Sequence, residues 1–417
     1  MKLKTLLQNY PPLALALFSS LALFISHPWQ LLTFLSPNSD NRLWGFDYFG
    51  LPRCGLAILQ GENIAGSDKF IEYGPWSTDW ASHPAMCLVL GVPLSQFGNP
   101  WLSYFVANSL YFCFHVYALV SLSQPLADGT FHQQSRSEKY RHFLFALLVG
   151  GFFPFVIIYH FAQYHALSVL AVTFLLQSEK RSVFGFIISA LSKPLLAPAG
   201  LLLAVRRQWK MIAWILAGTV IGTAPWFILD ALTGRQSMTV LGGSGLNKLR
   251  FSVLNWEQEQ SLAKVFETLI SPQMNFYLRL AISAMQMFTA ALIARYGDLR
   301  SAFCVAVLVF FTLYARGHEY HAVTLIPVFI YLFAKGTAYR TWIFMGIVAL
   351  FALPTTYPVL HYFLGSEKRS IANYKMTSPV LGWIFVLQRP VAVMALWLCI
   401  VQKEFLILSD KLSVEKK

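Results

Sequence analysis

The feature that most constrains this chain is a succession of apolar runs. Eleven stand out: 12–35, 101–123, 143–160, 163–177, 183–205, 211–232, 276–295, 301–316, 320–334, 341–360 and 379–402. No water reaches the hydrocarbon of a bilayer, so backbone groups there must pair within their own segment. About 20 apolar residues do this as a helix. The runs therefore predict an all-α, polytopic membrane protein in one integral domain, 1–417, with about 10–13 transmembrane helices. Composition agrees, with 56% hydrophobic and 12% charged residues, about half the charged share of a soluble domain. A soluble enzyme, a disordered chain and a secreted disulfide scaffold are excluded. No internal repeat is evident. Met1-Lys2-Leu3-Lys4 before the first run has the outline of a signal peptide. That run is long and lacks a small-residue cleavage site, so an uncleaved first helix is expected.

The charges orient the chain. With the N-terminus in the cytoplasm, the loops 124–142, 178–182, 206–210, 295–300 and 335–340 and both tails carry 18 Lys and Arg against seven acids, while the opposite side carries 12 of each. Basic loops stay in the cytoplasm. The net charge of +13 is thus a topology signal rather than a nucleic-acid footprint. Two segments must then bend. Segment 84–98 is expected to be re-entrant or interfacial. Segment 183–205, with basic loops at both ends, is expected to be a short hairpin turning at Ser192-Lys193-Pro194, where proline makes a break cheap. The alternative, in which each crosses once, leaves two basic loops outside. Residues 36–83, 233–275 and 361–378 form the external segments, and 403–417 is a cytoplasmic tail.

The five cysteines (54, 87, 113, 304, 399) are scattered, odd in number and without a Cys-x-x-Cys pair. Neither a disulfide framework nor a zinc site is expected.

The first external loop is rich in acids and aromatics. Residues 36–83 hold six of the 19 acids, Asp40, Asp47, Glu62, Asp68, Glu72 and Asp79, together with Trp44, Trp76, Trp80, Tyr48 and Tyr73. Carboxylates deprotonate hydroxyls or bind cations, and flat rings suit the apolar faces of sugars. The plainer reading is a solvated loop with interfacial aromatic anchors. Asp47 stands apart because it sits inside the aromatic run Leu43–Phe49. A lone carboxylate so near the bilayer is expensive without a task or a partner.

Asp47-Tyr48-Phe49, Ala57-Ile58-Leu59-Gln60-Gly61-Glu62-Asn63, Tyr73-Gly74-Pro75 and His83-Pro84 together resemble the first periplasmic loop of the GT-C class of glycosyltransferases. Within it the chain is most similar to the bacterial polyprenol-phosphate mannosyltransferases. Asp47 takes the place of that family's catalytic base, as a single Asp without an Asp-x-Asp pair. Later segments fall in the family's order. Gln163 in Phe161-Ala162-Gln163-Tyr164-His165 matches a Gly-Gln-x-Asn element, with Ala162 and His165 in place of Gly and Asn. Lys193-Pro194 resembles its Lys-Pro element. A Lys at the centre of an apolar run costs roughly 2.5–3.5 kcal/mol on insertion scales, which by itself marks a functional residue, although it can also snorkel. Arg316-Gly317-His318-Glu319-Tyr320-His321 is the densest polar cluster of the second half, and His321 stands six residues before Pro327. His318 and His321 are too few to claim zinc.

The resemblance implies an inverting glycosyltransferase with a GT-C-like fold in a bacterial inner membrane, its site on the periplasmic side. It would move a hexose, most simply mannose, from a polyprenyl-phosphate donor to a lipid-linked or envelope glycan acceptor. The expected catalytic residues are Asp47 and His321. The expected substrate-binding residues are Lys193, Arg316, His318, Glu319, Gln163, His165, Trp44, Trp76 and Tyr73. No cofactor, metal or nucleic acid is implied. The partners are the sugar donor, the glycan or glycolipid acceptor and membrane lipids. A polytopic transporter or lipid flippase is the alternative, and it would show discontinuous helices in both halves.

Overall fold

The computed structural model describes residues 3–26, 48–61, 73, 84–127, 130–233, 262–267, 270–314, 319–353 and 379–414. Asp47, Trp44, Trp76, Arg316 and His318 lie outside the described residues. Among the described residues the chain is helical and contains no strand.

The elements are α1 (Leu3–Asn9), α2 (Pro12–Ser26), α3 (Gly50–Leu59), α4 (Pro100–Leu122), α5 (Arg136–Gly150), α6 (Pro154–Phe161), α7 (Leu167–Gln177), α8 (Glu179–Ser192), α9 (Ala197–Val205), α10 (Trp209–Thr233), α11 (Leu262–Glu267), α12 (Pro272–Tyr296), α13 (Leu299–Leu313), α14 (Ile326–Lys335), α15 (Trp342–Ala352) and α16 (Pro379–Val414). Their starts follow local chemistry. Asn99, Ser135, Ser178, Ser271, Asp298 and Thr341 each accept a hydrogen bond from first-turn N–H groups, which satisfies donors that have no intrahelical partner.

Pro100–Leu122, Arg136–Phe161, Gln273–Tyr296 and Leu387–Ser409 are long and apolar enough to cross a membrane, and α1 with α2, bent by 114°, adds a fifth if taken as one span. Several of the other apolar runs fold into shorter helices. α7 has 11 residues, α13 15, α14 10 and α15 11. Ends inside a bundle are tolerated only where other groups satisfy the last carbonyls. Two arginines inside the apolar runs 276–295 and 379–402 do this. Arg279 of α12 donates to the Leu313 carbonyl at the end of α13, and Arg389 of α16 to the Phe351 carbonyl at the end of α15. Cations suit the negative end of a helix dipole.

The segments with basic character gather at one end of the bundle. Asn9 donates to the Ala127 carbonyl (3.3 Å), and Tyr10 bonds His142 (3.0 Å). Tyr117 and Arg181 share the Gln177 amide oxygen, and Gln208 reaches Glu179 (3.2 Å). Arg206 donates to the Gly297 carbonyl (2.5 Å). Lys335 pairs with Asp298 (3.1 Å) and Glu404 (2.6 Å). These links join the loops 124–142, 178–182, 206–210, 295–300 and 335–340 to their neighbours and to the C-terminal helix.

Segment 183–205 is broken. α8 ends at Ser192 and α9 begins at Ala197. Gly218 of α10 lies against Ile187 and Gly222 against Leu191. The two numberings rise together, so α8 and α10 run parallel, and α9 between them runs back. A single crossing over 183–205 would have made them antiparallel. Segment 84–95 is helical through a π-helical turn at Cys87–Gly91. Its 12 residues would reach only about 18 Å, short of a hydrocarbon core of about 30 Å.

One sequence expectation is overturned. Cys54 and Cys87 form a disulfide, with Cα atoms 5.4 Å apart. The physical reason is close backbone approach. A Cβ on Gly55 would meet the Gly91 carbonyl at 2.2 Å, so only glycine lets α3 come this near the 87–91 turn. Spacing along the chain carries no trace of that approach.

Candidate functional site

Two turns and one 3₁₀ segment build the site. The first turn follows α6, where Ala162 adopts φ 45°, a left-handed conformation that favours glycine. The turn is fixed from α4. Tyr104 donates to the carbonyls of Tyr159 (2.5 Å) and His160 (3.2 Å), and the Asn108 amide donates to Tyr159 (2.9 Å). These close off the last carbonyls of α6 and present Gln163, Tyr164 and His165. The second turn is 193–196. The Ser189 hydroxyl donates to the Lys193 carbonyl (2.9 Å) and accepts from the Leu196 N–H (3.1 Å), so the helix break is held by a side chain. The 3₁₀ segment is Glu319–Leu325, leading into α14.

The three meet. The His165 Nε2 lies 2.9 Å from the Thr324 hydroxyl, which is 2.6 Å from that of Ser168. The rings of His165 and His321 stand 4.7 Å apart, and Tyr320, Phe310 and Tyr314 line His321. The Lys193 ammonium lies over two rings, Tyr164 at 5.2 Å and Tyr320 at 5.6 Å. His165 and His321 are buried, and Lys193 is half-buried. Rings hold a cation in place, and a half-buried ammonium is a strong recogniser of anions. Among the described residues no group of three or more His, Cys, Asp or Glu could hold a metal ion.

A set of hydroxyls lies between this cluster and residues 48 and 73. Tyr164 and Tyr48 both lie within electrostatic reach of Tyr111. Tyr48 hydrogen-bonds Ser103, and Ser103 and Tyr48 both interact with Tyr73. Tyr48 is the residue that follows Asp47 in the chain.

Of the residues singled out by sequence, Lys193, His165 and His321 come together, and Gln163 sits in the same turn. Tyr73 belongs to the set of hydroxyls. Its hydroxyl donates to the Leu94 (3.0 Å) and Phe97 (3.1 Å) carbonyls, and its carbonyl accepts from Arg53 (3.1 Å), tethering α3 to the 84–97 segment. Glu319 opens the 3₁₀ segment. Sequence reading passed over Tyr104, Asn108, Tyr111, Tyr164, Ser168, Tyr320 and Thr324. A signal existed for α4. Tyr104, Asn108, Tyr111 and His115, all fully buried, recur at i, i+4, i+7 and i+11, a polar stripe on an otherwise apolar helix.

Among the described residues, fold and site together define a helical bundle consistent with a polytopic membrane protein, with a cation-bearing polar cluster inside it. No protein family, no curated protein and no solved structure matches the chain.

Proposed function

We propose that this chain is an inverting glycosyltransferase of the GT-C kind, moving a hexose from a polyprenyl-phosphate donor to a lipid-linked or envelope glycan on the non-cytoplasmic face of a bacterial inner membrane. Ten to thirteen spans, several of them broken, belong to that reading. The observation that carries it is the convergence of Lys193, His165 and His321 from three separate segments.

Asp47 takes the proton of the acceptor hydroxyl as that oxygen attacks the anomeric carbon. The bond to phosphate breaks in the same displacement, so the anomeric centre inverts. Lys193 and His321, with Arg316, hold the leaving phosphate and stabilise its growing charge. The His165–Thr324–Ser168 hydrogen bonds hold the His321 segment against the 162–166 turn. A lipid-phosphate donor needs no nucleotide fingerprint, and the sequence has none.

If Lys193 grips the phosphate, Lys193→Ala weakens donor binding. A charge-assisted hydrogen bond contributes roughly 1.5–3 kcal/mol, so the loss is expected to be about tenfold to 100-fold. Titration of folded variant and wild type with polyprenyl-phosphate hexose measures it. Equal affinities would return Lys193 to an interfacial, snorkelling role.

The side assignment has two supports. The basic segments gather at one end, and the disulfide lies by the start of α4, at the other. Disulfides persist on the oxidising side of a membrane, which supports the reading that residues 36–83 are external. In a background with Cys113, Cys304 and Cys399 removed, Ser39→Cys is expected to react with an impermeant maleimide in intact cells, and Ser413→Cys only after permeabilisation. The reverse pattern would invert the topology.

A second reading, a transporter or lipid flippase, draws on the helix interrupted at Lys193. It predicts movement of substrate across the bilayer without transfer of sugar.

A further inference from the structure

The cluster around Lys193 is cationic, but its neighbour on α4 has a different chemistry. The Tyr111 hydroxyl is fully buried and has no hydrogen-bond partner. One turn earlier, Asn108 uses its amide N–H on the Tyr159 carbonyl, while its Oδ1 is buried and also without a partner. Positions i and i+3 are neighbours on a helix surface, so a free acceptor and a free hydroxyl arise from one face of α4. Buried polar atoms are rarely left unpaired in folded proteins, and those that are call for a specific cause. Tyr104, on the same stripe, shows the ordinary outcome, since its hydroxyl finds two carbonyls.

Neither orphan carries charge, and the Tyr111 hydroxyl lies within electrostatic reach of Tyr48 and Tyr164. The ring of Tyr164 in turn carries the Lys193 ammonium. The surroundings thus change from neutral donors and acceptors at Tyr111 to a cation at Lys193. A sugar phosphate has the same gradient, with hydroxyls at one end and an anion at the other. A sugar hydroxyl both donates and accepts, which is what Asn108 Oδ1 and the Tyr111 hydroxyl together can answer.

We propose that Asn108 and Tyr111 form the subsite for the hydroxyls of the transferred sugar, separate from the phosphate grip at Lys193. This rests on the glycosyltransferase reading and adds the division of labour within its donor site. It has an unusual consequence. Removing an orphan hydroxyl takes away no bond from the unliganded protein, so the variant loses ligand affinity without losing stability.

The test compares Tyr111→Phe, Tyr104→Phe and Lys193→Ala with wild type, by thermal melting and by binding of two probes, polyprenyl phosphate and polyprenyl-phosphate mannose. Tyr111→Phe is expected to melt at or above wild type, to bind polyprenyl phosphate unchanged, and to bind the mannose-bearing lipid about tenfold more weakly. Lys193→Ala is expected to weaken both probes, and Tyr104→Phe to lower the melting temperature. Equal affinity of Tyr111→Phe and wild type for the mannose-bearing lipid would overturn the subsite. So would a matching loss for both probes with a lowered melting point, which makes Tyr111 structural. If wild-type protein binds neither probe, the glycosyltransferase reading itself fails, and the melting comparison still shows whether the Tyr111 hydroxyl is unpaired.

Discussion

Asp47→Asn is expected to leave expression and donor binding near wild type while turnover falls at least about 100-fold. A general base contributes typically 10²–10⁴-fold. Asparagine keeps the size and hydrogen-bonding reach of aspartate and loses only the basic oxygen, so the change should appear in turnover rather than in binding. Asp40, Glu62 and Asp79 share the loop and supply the comparison. Their amide variants are expected to keep most of their activity. Full turnover in Asp47→Asn with loss in Glu62→Gln or Asp79→Asn would move the base to another carboxylate.

The second large effect concerns stability. Lys335 stands between two carboxylates, Asp298 at 3.1 Å and Glu404 at 2.6 Å, and also donates to the Ser301 hydroxyl (2.6 Å). Tyr331 donates to Asp298 and Tyr339 to Glu404 (2.8 Å). Glu404 is buried. The group ties α13 and α14 to the C-terminal helix α16. Burial alone would raise the Asp298 carboxyl, but the Tyr331 hydroxyl and the Lys335 ammonium outweigh it and hold it at about 2. A depressed carboxyl adds stability above its unfolded value of 3.8 and loses it as pH falls toward about 2, so at neutral pH the full contribution is present. Lys335→Met leaves two carboxylates facing each other without a cation. Breaking a buried pair from one side costs about 3–5 kcal/mol, and the partial exposure of Asp298 and Lys335 favours the lower end. Melting in detergent measures this. Glu404→Gln is expected to cost less, because the Tyr339 bond and the Lys335–Asp298 pair survive. A Lys335→Met protein that melts with wild type would remove the group from any stabilising role.

The sequence was most readable where physics acts locally. Apolar runs marked the helices, and the basic loops sorted together because they share one end of the bundle. Ser192-Lys193-Pro194 announced its own break. What stayed hidden depends on contacts between distant positions. His165 meets Thr324 across 159 positions and Tyr104 meets Tyr159 across 55, and no periodicity encodes such pairings. The Cys54–Cys87 bond was missed for the same cause, since it follows from the Gly55–Gly91 approach rather than from cysteine spacing. Helix ends were less legible than helix positions. A run of apolar residues shows burial but not continuity, and α15 ends at Ala352 inside the run 341–360, near the Phe351 carbonyl that Arg389 satisfies. The polar stripe Tyr104, Asn108, Tyr111, His115 was legible at helical spacing, yet its meaning needed the turn at Ala162.

The most direct test follows the sugar. Membranes containing the chain, and matched membranes without it, are incubated with radiolabelled polyprenyl-phosphate mannose, and the label is traced between the donor, the glycolipid or glycan fraction and the two bilayer leaflets. Chain-dependent transfer of label to an acceptor with inverted anomeric configuration is expected, slowed at least about 100-fold in Asp47→Asn. Label that stays on the donor while the donor changes leaflet would contradict it and establish the transporter instead.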